Sequence, residues 1–293
     1  MTDQFFAQAP CTFKSYDVTQ EQLRELEACL NGEISAKDAA MRLTTHPSTS
    51  STPLQMQQRL GGLWTLLNDT AVAIPSAQSK VISILETIRI LPKEEEPKGE
   101  GEEFTCLDDG YFWRELTNWA NDWADNYNHY EAQFKIEEHS EEEHAVRKQA
   151  WVNANAYTAR LASTGDESSS SYGAALDRAS YTIVNALEID SYSKEPGDFE
   201  AAAQLFIYSA PELYRRSRDK YTLEGNYGLW GTESCTPTVN GLWHGCRGGS
   251  LKRWNFWTER WAALASEQNF SALGRTAAQQ ALESMKKTEI QLD

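Results

Sequence analysis

Apolar side chains recur every three or four residues along most of this chain, and that spacing limits its fold more than any other feature. Leu60, Leu63 and Leu67 form one such set, and a second lies within residues 81–88. Residues at this spacing share one face of an α-helix. No segment shows the sustained alternation of apolar and polar residues that predicts a half-buried β-strand. We therefore predict an all-α fold, a multi-helix globular bundle.

Residues that favour helix ends stand at the borders of these apolar sets. Thr19 with Gln22 and Ser140 with Glu143 fit the capping box, in which two side chains satisfy backbone N–H groups at a helix start. Gly32 follows Asn31 where the first of these helices should end. Further starts are predicted at residues with a capping oxygen or at a first-turn proline: Ser35, Pro53, Pro75, Asp198, Ser250 and Ser271.

The chain divides into three stretches of different composition. Residues 1–92 form an N-terminal helical part, and residues 93–103, rich in Glu, Lys, Pro and Gly, predict a linker. Residues 104–293 form the main helical region, which we expect to make one domain with the N-terminal part. Within it, Pro211 should break or kink a helix. Residues 224–249 contain seven glycines and two tryptophans, which predicts a long Gly/Trp-rich loop.

The charge of the chain is concentrated in one stretch. Residues 93–143 hold 17 acidic and 4 basic side chains, a net charge of −13 out of −16 for the whole chain. An acidic chain without a compensating basic patch repels phosphate backbones, so we expect no nucleic-acid partner. A run of like charges is usually a solvated surface, so we look for function elsewhere.

No sequence feature directs this chain to a membrane or an oxidising compartment. The most apolar later stretch, residues 81–91, is interrupted by polar residues and is shorter than the roughly 20 residues that a membrane span needs. We expect no membrane span, no signal peptide and a cytoplasmic location. The five cysteines are odd in number and widely spaced, which favours free thiols.

The familiar cofactor and hydrolase motifs are missing from the sequence. It contains no Gly-x-x-x-x-Gly-Lys-Ser/Thr loop, no Gly-x-Gly-x-x-Gly after a strand-like run and no Gly-x-Ser-x-Gly. Asp108-Asp109 is followed by Gly-Tyr-Phe-Trp and lacks the further acidic residue of a metal-diphosphate motif. We therefore predict no cofactor.

Metal sites receive little support as well. Glu141 and His144 have the Glu-x-x-His spacing of di-iron sites, but the required second copy is absent. Cys235, His244 and Cys246 could supply three zinc ligands from one loop, although no Cys-x-x-Cys pair accompanies them. We predict no metal. A regulatory disulfide between Cys235 and Cys246 stays open as an alternative.

The aromatic residues on the helices and in the glycine-rich segment are the most suggestive feature for function. A tryptophan stripe at helical spacing is usually core, yet aromatic walls with few polar groups also suit a pocket for an apolar ligand. Arg114, Asn155 and Arg253 lie among these rings and are the predicted catalytic residues. The predicted substrate-binding residues are Trp113, Trp119, Tyr127, Trp151, Trp230, Trp254 and Trp257.

Four aromatic-rich blocks resemble a known family. They are residues 112–116 (Phe-Trp-Arg-Glu-Leu), 151–161, 201–208 and 253–261 (Arg-Trp-Asn-Phe-Trp-Thr-Glu-Arg-Trp). Together they resemble a family of fungal proteins known only as a domain of unknown function, over roughly residues 50–287. The resemblance implies an all-α intracellular protein and supplies no activity or catalytic residues. Some similar proteins accompany fungal specialised-metabolite pathways.

Two functional hypotheses follow. The first is a cofactor-independent enzyme of fungal specialised metabolism that cyclises or isomerises an apolar substrate, with terpenoids and pericyclic ring closure as examples. Aromatic rings would shape the substrate, and Arg114, Asn155 or Arg253 would polarise an oxygen atom. The second is a non-catalytic helical interaction or ligand-binding protein. The sequence leaves the substrate, the product and the oligomeric state open.

Overall fold

Helices form nearly all the regular structure in the computed structural model, which describes residues 2–95, 97, 112–136, 140–164, 170–189, 196–222, 241–245 and 247–292. The helices are α1 (Thr2–Thr12), α2 (Gln20–Asn31), α3 (Ala36–Ser48), α4 (Pro53–Ala73), α5 (Gln78–Arg89), α6 (Trp119–Phe134), α7 (Glu141–Ala162), α8 (Ser170–Ile183), α9 (Pro196–Arg218), α10 (Leu251–Ser266) and α11 (Ala272–Leu292). Over these ranges the only β-type pairing is an isolated bridge between Ile189 and Gly241. The predicted all-α fold is confirmed.

Local side-chain chemistry begins most of these helices where the sequence predicts. Both capping boxes form, Thr19 with Gln22 on α2 and Ser140 with Glu143 on α7. Gly32 ends α2 with a φ of 83°, a conformation that glycine adopts without strain. Residues Ser35, Ser250 and Ser271 also cap as predicted, each accepting a backbone N–H three residues later. One position is wrong, because Asp198 lies in the first turn of α9 rather than before it.

The chain forms two compact units, Met1–His129 and Tyr130–Asp293. In unit 1, α3 packs against α2, α4 and α5, and α1 packs against α2. The apolar stripe of α4 that the sequence predicts is fully buried, since Leu60, Leu63 and Leu67 expose none of their surface. Burying a leucine side chain contributes roughly 1.5–3 kcal/mol, so this stripe is a main source of the stability of unit 1.

One predicted helix of unit 1 begins later than its apolar spacing suggests. The sequence predicts a single long helix carrying Trp113, Leu116, Trp123 and Tyr127, but α6 begins only at Trp119. The preceding residues form turns in which Leu116 has a φ of 47° and Asn118 a φ of 64°. Side chains other than glycine rarely adopt these values, and they end any helical run before α6.

In unit 2, α9 packs against α7, α8, α10 and α11 and is the central helix. It is kinked at Ser209, whose φ of −127° is not helical, two residues before Pro211. Proline has no N–H to donate and its ring presses on the preceding turn, so the predicted kink is confirmed. The end of α8 continues into a π-helical turn, Val184–Glu188. Such turns often mark functional positions.

Some predicted features fall outside the described ranges. These are most of the linker at 93–103, the greater part of the Gly/Trp-rich segment, and Cys106, Cys235 and Cys246. Cys11 and Cys29 are free thiols. None of the helices described combines the length and the apolar character that crossing a bilayer requires.

Two adjacent glycines of α4 give a direct test of this packing. A Cβ built on Gly62 would lie 2.0 Å from the Tyr16 carbonyl oxygen, whereas one on Gly61 would meet only Asp122 Oδ2, at 3.9 Å. We expect Gly61→Ala to raise the free energy of unfolding by about 0.5–1 kcal/mol, since alanine favours a helix. We expect Gly62→Ala to lower it by about 1–3 kcal/mol through overpacking. Urea unfolding measures both, and equal effects would contradict the close approach at Gly62.

Candidate functional site

A buried ion pair lies at the centre of the most elaborate polar cluster of unit 2. Arg253 Nε donates to Glu188 Oε1 at 2.7 Å, and its Nη2 donates to Oε2 at 2.5 Å. Trp257 Nε1 donates to the same Oε1 at 2.8 Å. Both charged residues are at most 4% exposed. We call Glu188, Arg253 and Trp257 the Glu188 cluster.

Local structure brings these three residues together from distant positions. Ser250 caps α10, so that Arg253 and Trp257, four residues apart, lie on one face of the helix. Glu188 ends the π-helical turn, and its carbonyl accepts the Leu242 N–H at 2.7 Å. Arg253 Nη1 also donates to the Gly248 carbonyl at 3.2 Å. The cluster therefore joins the end of α8, the residues before α10 and α10 itself.

The geometry fixes both charges in place. Two parallel N–H···O bonds between a guanidinium and a carboxylate are among the strongest hydrogen bonds in proteins. Removing both charges from water is costly, however, so the net gain in stability from such a pair is small. Removing only one partner costs about 3–5 kcal/mol, because the other charge is left buried alone. The pair thus provides a rigid, oriented guanidinium more than it provides stability.

The half-buried ring of Trp243 lies next to this guanidinium, and a second half-buried ring, that of Phe256, packs against Trp243. The Trp243 ring centroid is 5.5 Å from Arg253 Cζ and 5.3 Å from the Phe256 ring centroid. Neither ring is fully buried. We call Trp243 and Phe256 the aromatic edge. It offers apolar surface beside a fixed positive group, which is a suitable contact for an apolar molecule that carries an oxygen atom.

A second polar network of unit 2 is centred on Arg216. Its guanidinium pairs with Asp177 and, at 2.7 Å, with Glu212, while the Tyr221 hydroxyl donates to Asp177 at 3.4 Å. Burial raises the pKa of Asp177 despite the nearby Arg216. Burial also acts to raise the pKa of Glu212, but hydrogen bonds from Arg215 and Arg216 outweigh it and lower that pKa. The two carboxyl groups around one arginine therefore differ in acidity.

Backbone contacts connect this network with the Glu188 cluster. The Gly249 N–H donates to the Tyr221 carbonyl at 2.8 Å, and the Tyr221 N–H donates to the Arg216 carbonyl at 2.9 Å. A Cβ on Gly249 would lie 2.2 Å from the Arg216 carbonyl oxygen, so only glycine fits there. Arg216 and Arg253 are in this way held in one framework.

In unit 1, two buried indoles hold the turns before α6 against α4. Trp64 Nε1 donates to the Thr117 carbonyl at 2.8 Å, and Trp119 Nε1 donates to Asn68 Oδ1 at 3.1 Å. Asp122 lies in the first turn of α6. Burial, with a smaller contribution from the charge of Asp125, raises the pKa of Asp122 to about 6. A carboxyl group with such a pKa can exchange a proton near neutral pH.

The structure brings only some of the predicted site residues together. Arg253 and Trp257 share the Glu188 cluster, and Trp254 Nε1 donates to Glu289 at 2.6 Å.

Asn155 is buried in α7, where its amide donates to the Trp151 carbonyl at 2.9 Å. Arg114 is mostly exposed and pairs with Glu115. Trp113, Trp119 and Tyr127 are buried in unit 1, and Trp230 lies outside the described residues. The catalytic and binding roles of this set stay predictions.

Sequence reasoning missed Glu188, Trp243 and Asp122. Glu188 stands between Leu187 and Ile189 near the end of a helical pattern, and an acid flanked by apolar residues is a usable signal. In the sequence, Trp243 stands out only as part of the glycine-rich segment 224–249. In the sequence, Asp122 resembles the other acids of a charged stretch. Only the position of α6 beside α4 shows that Asp122 is more buried than the nearest described acids on either side of it.

Comparison with known proteins gives one match. A family model described as "Protein of unknown function (DUF3632)" matches residues 64–261, more than half of the chain. The matched range runs from Trp64 in α4 to Trp261 in α10 and contains the Glu188 cluster and the aromatic edge. No curated protein and no solved structure matches the chain.

Substitutions at two predicted catalytic arginines should have very different effects. We expect Arg253→Ala and Glu188→Ala each to lower the free energy of unfolding by about 3–5 kcal/mol, since each leaves a buried charge unpaired. Arg114→Ala removes the exposed pair with Glu115 and should change it by less than about 1 kcal/mol. Urea unfolding of the three variants measures this. A loss from Arg253→Ala no larger than that from Arg114→Ala would contradict a buried, structurally required pair.

The raised pKa of Asp122 predicts a pH-dependent stability. The carboxyl of Asp122 has a pKa of about 6 in the folded protein, against 3.8 for the unperturbed group. The protonated carboxyl therefore stabilises the folded state fully below pH 3.8, and this stabilisation is lost as pH rises through 6. We expect Asp122→Asn to raise the free energy of unfolding by about 1–2 kcal/mol at pH 7.5, a value reduced for partial exposure. At pH 4 it should have little effect. A pH-independent gain would show that charge is not the cause.

Proposed function

The chain belongs to the DUF3632 family of proteins of unknown function, and for it we propose a cofactor-independent enzyme that cyclises or isomerises an apolar small molecule at the aromatic edge of unit 2. The substrate would be a product of fungal specialised metabolism that carries at least one oxygen atom. A terpenoid fits this description, and pericyclic ring closure is one reaction of the proposed class.

The observation that carries the proposal is the guanidinium of Arg253, held beside the half-buried ring of Trp243, which packs in turn against Phe256. Glu188 fixes Arg253 through two hydrogen bonds, and Trp243 lies 5.5 Å from its Cζ. An apolar substrate would lie against Trp243 and Phe256, with its oxygen towards the arginine. A fixed positive group is most useful where negative charge grows on an oxygen during the reaction, because it needs no reorganisation at that moment.

The proposed reaction class makes few demands on the protein. An isomerisation or ring closure keeps every atom and every electron of the substrate in the product, so no oxidant, reductant or leaving group is involved. Aromatic walls that hold a flexible molecule in its reactive conformation can supply much of the rate enhancement. The missing nucleophile motifs in the sequence are compatible with chemistry of this kind.

A non-catalytic ligand-binding or interaction protein is the second candidate, and one observation favours it. Trp113, Trp119, Trp151, Trp254 and Trp257, all predicted to bind substrate, are at most 1% exposed. Rings buried to this degree contribute to the core. If no substrate is turned over at the aromatic edge, the same surface would serve for binding alone.

Gene deletion followed by a turnover assay tests the proposal. We expect the deletion strain to accumulate one compound, and the purified protein to convert that compound into an isomer of equal mass. Phe256→Ala and Trp243→Ala should each lower kcat/KM at least tenfold, which corresponds to about 1.4 kcal/mol of lost transition-state stabilisation. Mass spectrometry with chromatographic separation follows the conversion.

Leu251→Ala is the matched control, since Leu251 is a partly exposed apolar residue on the same helix as Phe256. It should keep kcat/KM within twofold of the wild type. Binding of the accumulated compound without conversion would overturn the enzyme and support the second candidate. Unchanged turnover in both aromatic variants, with their folding intact, would place the reaction elsewhere.

A further inference from the structure

Three shielded polar atoms of unit 1, in the turns before α6 and in its first half, have no hydrogen-bond partner in the described part of the chain. Thr117 Oγ1, Asp122 Oδ2 and Asn126 Nδ2 each lack one among the residues that the structure describes. Thr117 as a whole is only 3% exposed. Leaving a buried polar atom unpaired lowers the stability of the fold. Native proteins contain few such atoms, and a bound ligand is one established reason for them.

Two of these residues, Thr117 and Asp122, lie beside the same stretch of α4. The Thr117 carbonyl accepts the Trp64 indole, and Gly61 lies one turn before Trp64 on the same face of α4. Asp122 Oδ2 is 3.9 Å from the point that a Cβ on Gly61 would occupy. Apart from the two chain neighbours of Gly61 and the nearby backbone of α4, no other atom in the described ranges comes within 4 Å of this point. Gly61 therefore leaves room beside the carboxylate.

The turns that present Thr117 are strained, which is common at binding sites. Leu116 and Asn118 flank Thr117, and both have positive φ values, 47° and 64°. Residues other than glycine rarely adopt such values and keep them only where the surroundings enforce them. The Trp64 hydrogen bond is one of those restraints. Thr117 is thus held in its position at a cost in stability.

The three groups favour a ligand with a positively charged hydrogen-bond donor at one end and a hydrogen-bond acceptor at the other. Asp122 offers a carboxylate oxygen, and none of the described cations forms an ion pair with it. The nearby negative charge of Asp125 repels it as well. A positive donor would satisfy Asp122. Asn126, one turn further along α6, offers an N–H and needs an acceptor, while the Thr117 hydroxyl can act in either sense.

We propose that the space beside Gly61 binds a small primary amine that carries a hydroxyl group on the neighbouring carbon. The ammonium group donates to Asp122, and the hydroxyl oxygen accepts from Asn126. The unpaired Asn126 N–H needs an acceptor, so a hydroxyl oxygen fits there better than a second ammonium group. This site lies in unit 1 and does not depend on the activity proposed for unit 2.

Titration with ethanolamine tests the site, followed by NMR of the ¹⁵N-labelled indole groups in the full chain at pH 7.5. We expect a saturable shift of the Trp64 indole signal, since Trp64 holds Thr117 in place. Ethylamine, which lacks the hydroxyl, should bind about 5–10-fold more weakly. Ethylene glycol, which lacks the charge, should give no saturable shift.

Three variants distinguish binding at this site from non-specific attraction of the amine to the acidic surface. Gly61→Ala fills the space and Asp122→Asn removes the charge, and each should weaken ethanolamine binding at least tenfold. Asp125→Asn is the matched control, because Asp125 is an exposed acid on the same helix, and it should change the affinity less than threefold. Since Gly61→Ala favours the helix, its melting temperature should not fall, and lost binding then cannot result from unfolding.

The pH dependence supplies an independent readout. Wild-type affinity should fall about tenfold per pH unit below about pH 6, as Asp122 takes up its proton, and Asp122→Asn should lack this dependence. The proposal is overturned if ethanolamine gives no saturable shift, if Gly61→Ala binds it as the wild type does, or if Asp125→Asn and Asp122→Asn lose the same affinity. Equal binding of ethylene glycol would also overturn it.

Discussion

Glu188 can leave water only because three hydrogen bonds replace its hydration shell, two from Arg253 and one from Trp257. Much of unit 2 is arranged around this replacement. The Ser250 cap sets the face that α10 turns towards Glu188, and the Gly248 carbonyl holds the far side of the guanidinium. Gly249 then connects this region with Tyr221 and Arg216. An ion pair of small net stabilisation thus determines the relative positions of several elements.

The sequence predicts what short-range chemistry determines. Helix starts at Thr19, Ser140 and Ser250 depend on side chains within four residues of the backbone they cap, and all three are correct. The Ser209 kink follows equally from Pro211. These features need no knowledge of what packs where.

Long-range contacts account for what sequence reasoning missed. Glu188 and Arg253 are 65 residues apart, and nothing near either one identifies its partner. The late start of α6 has a similar cause. The apolar spacing of Trp113, Leu116 and Trp123 fits a helix that would begin earlier. The long-range hydrogen bond from Trp64 to the Thr117 carbonyl favours the strained turns instead. The spacing of Asn155 predicts a place near the apolar face of α7, and it is buried there, where its amide donates to a backbone carbonyl of its own helix. Periodicity predicts burial; it does not predict partners.

The π-helical turn at Val184–Glu188 makes the position of Glu188 sensitive to the length of the chain. A π-helical turn holds one more residue than the corresponding α-helical turn, and one residue of an α-helix corresponds to a rotation of about 100°. Losing a single residue from this stretch would turn the carboxylate away from Arg253 while leaving an uninterrupted helix. In evolutionary terms, one codon gained or lost there could separate proteins with a paired arginine from proteins without one, and no substitution at Glu188 or Arg253 would be required.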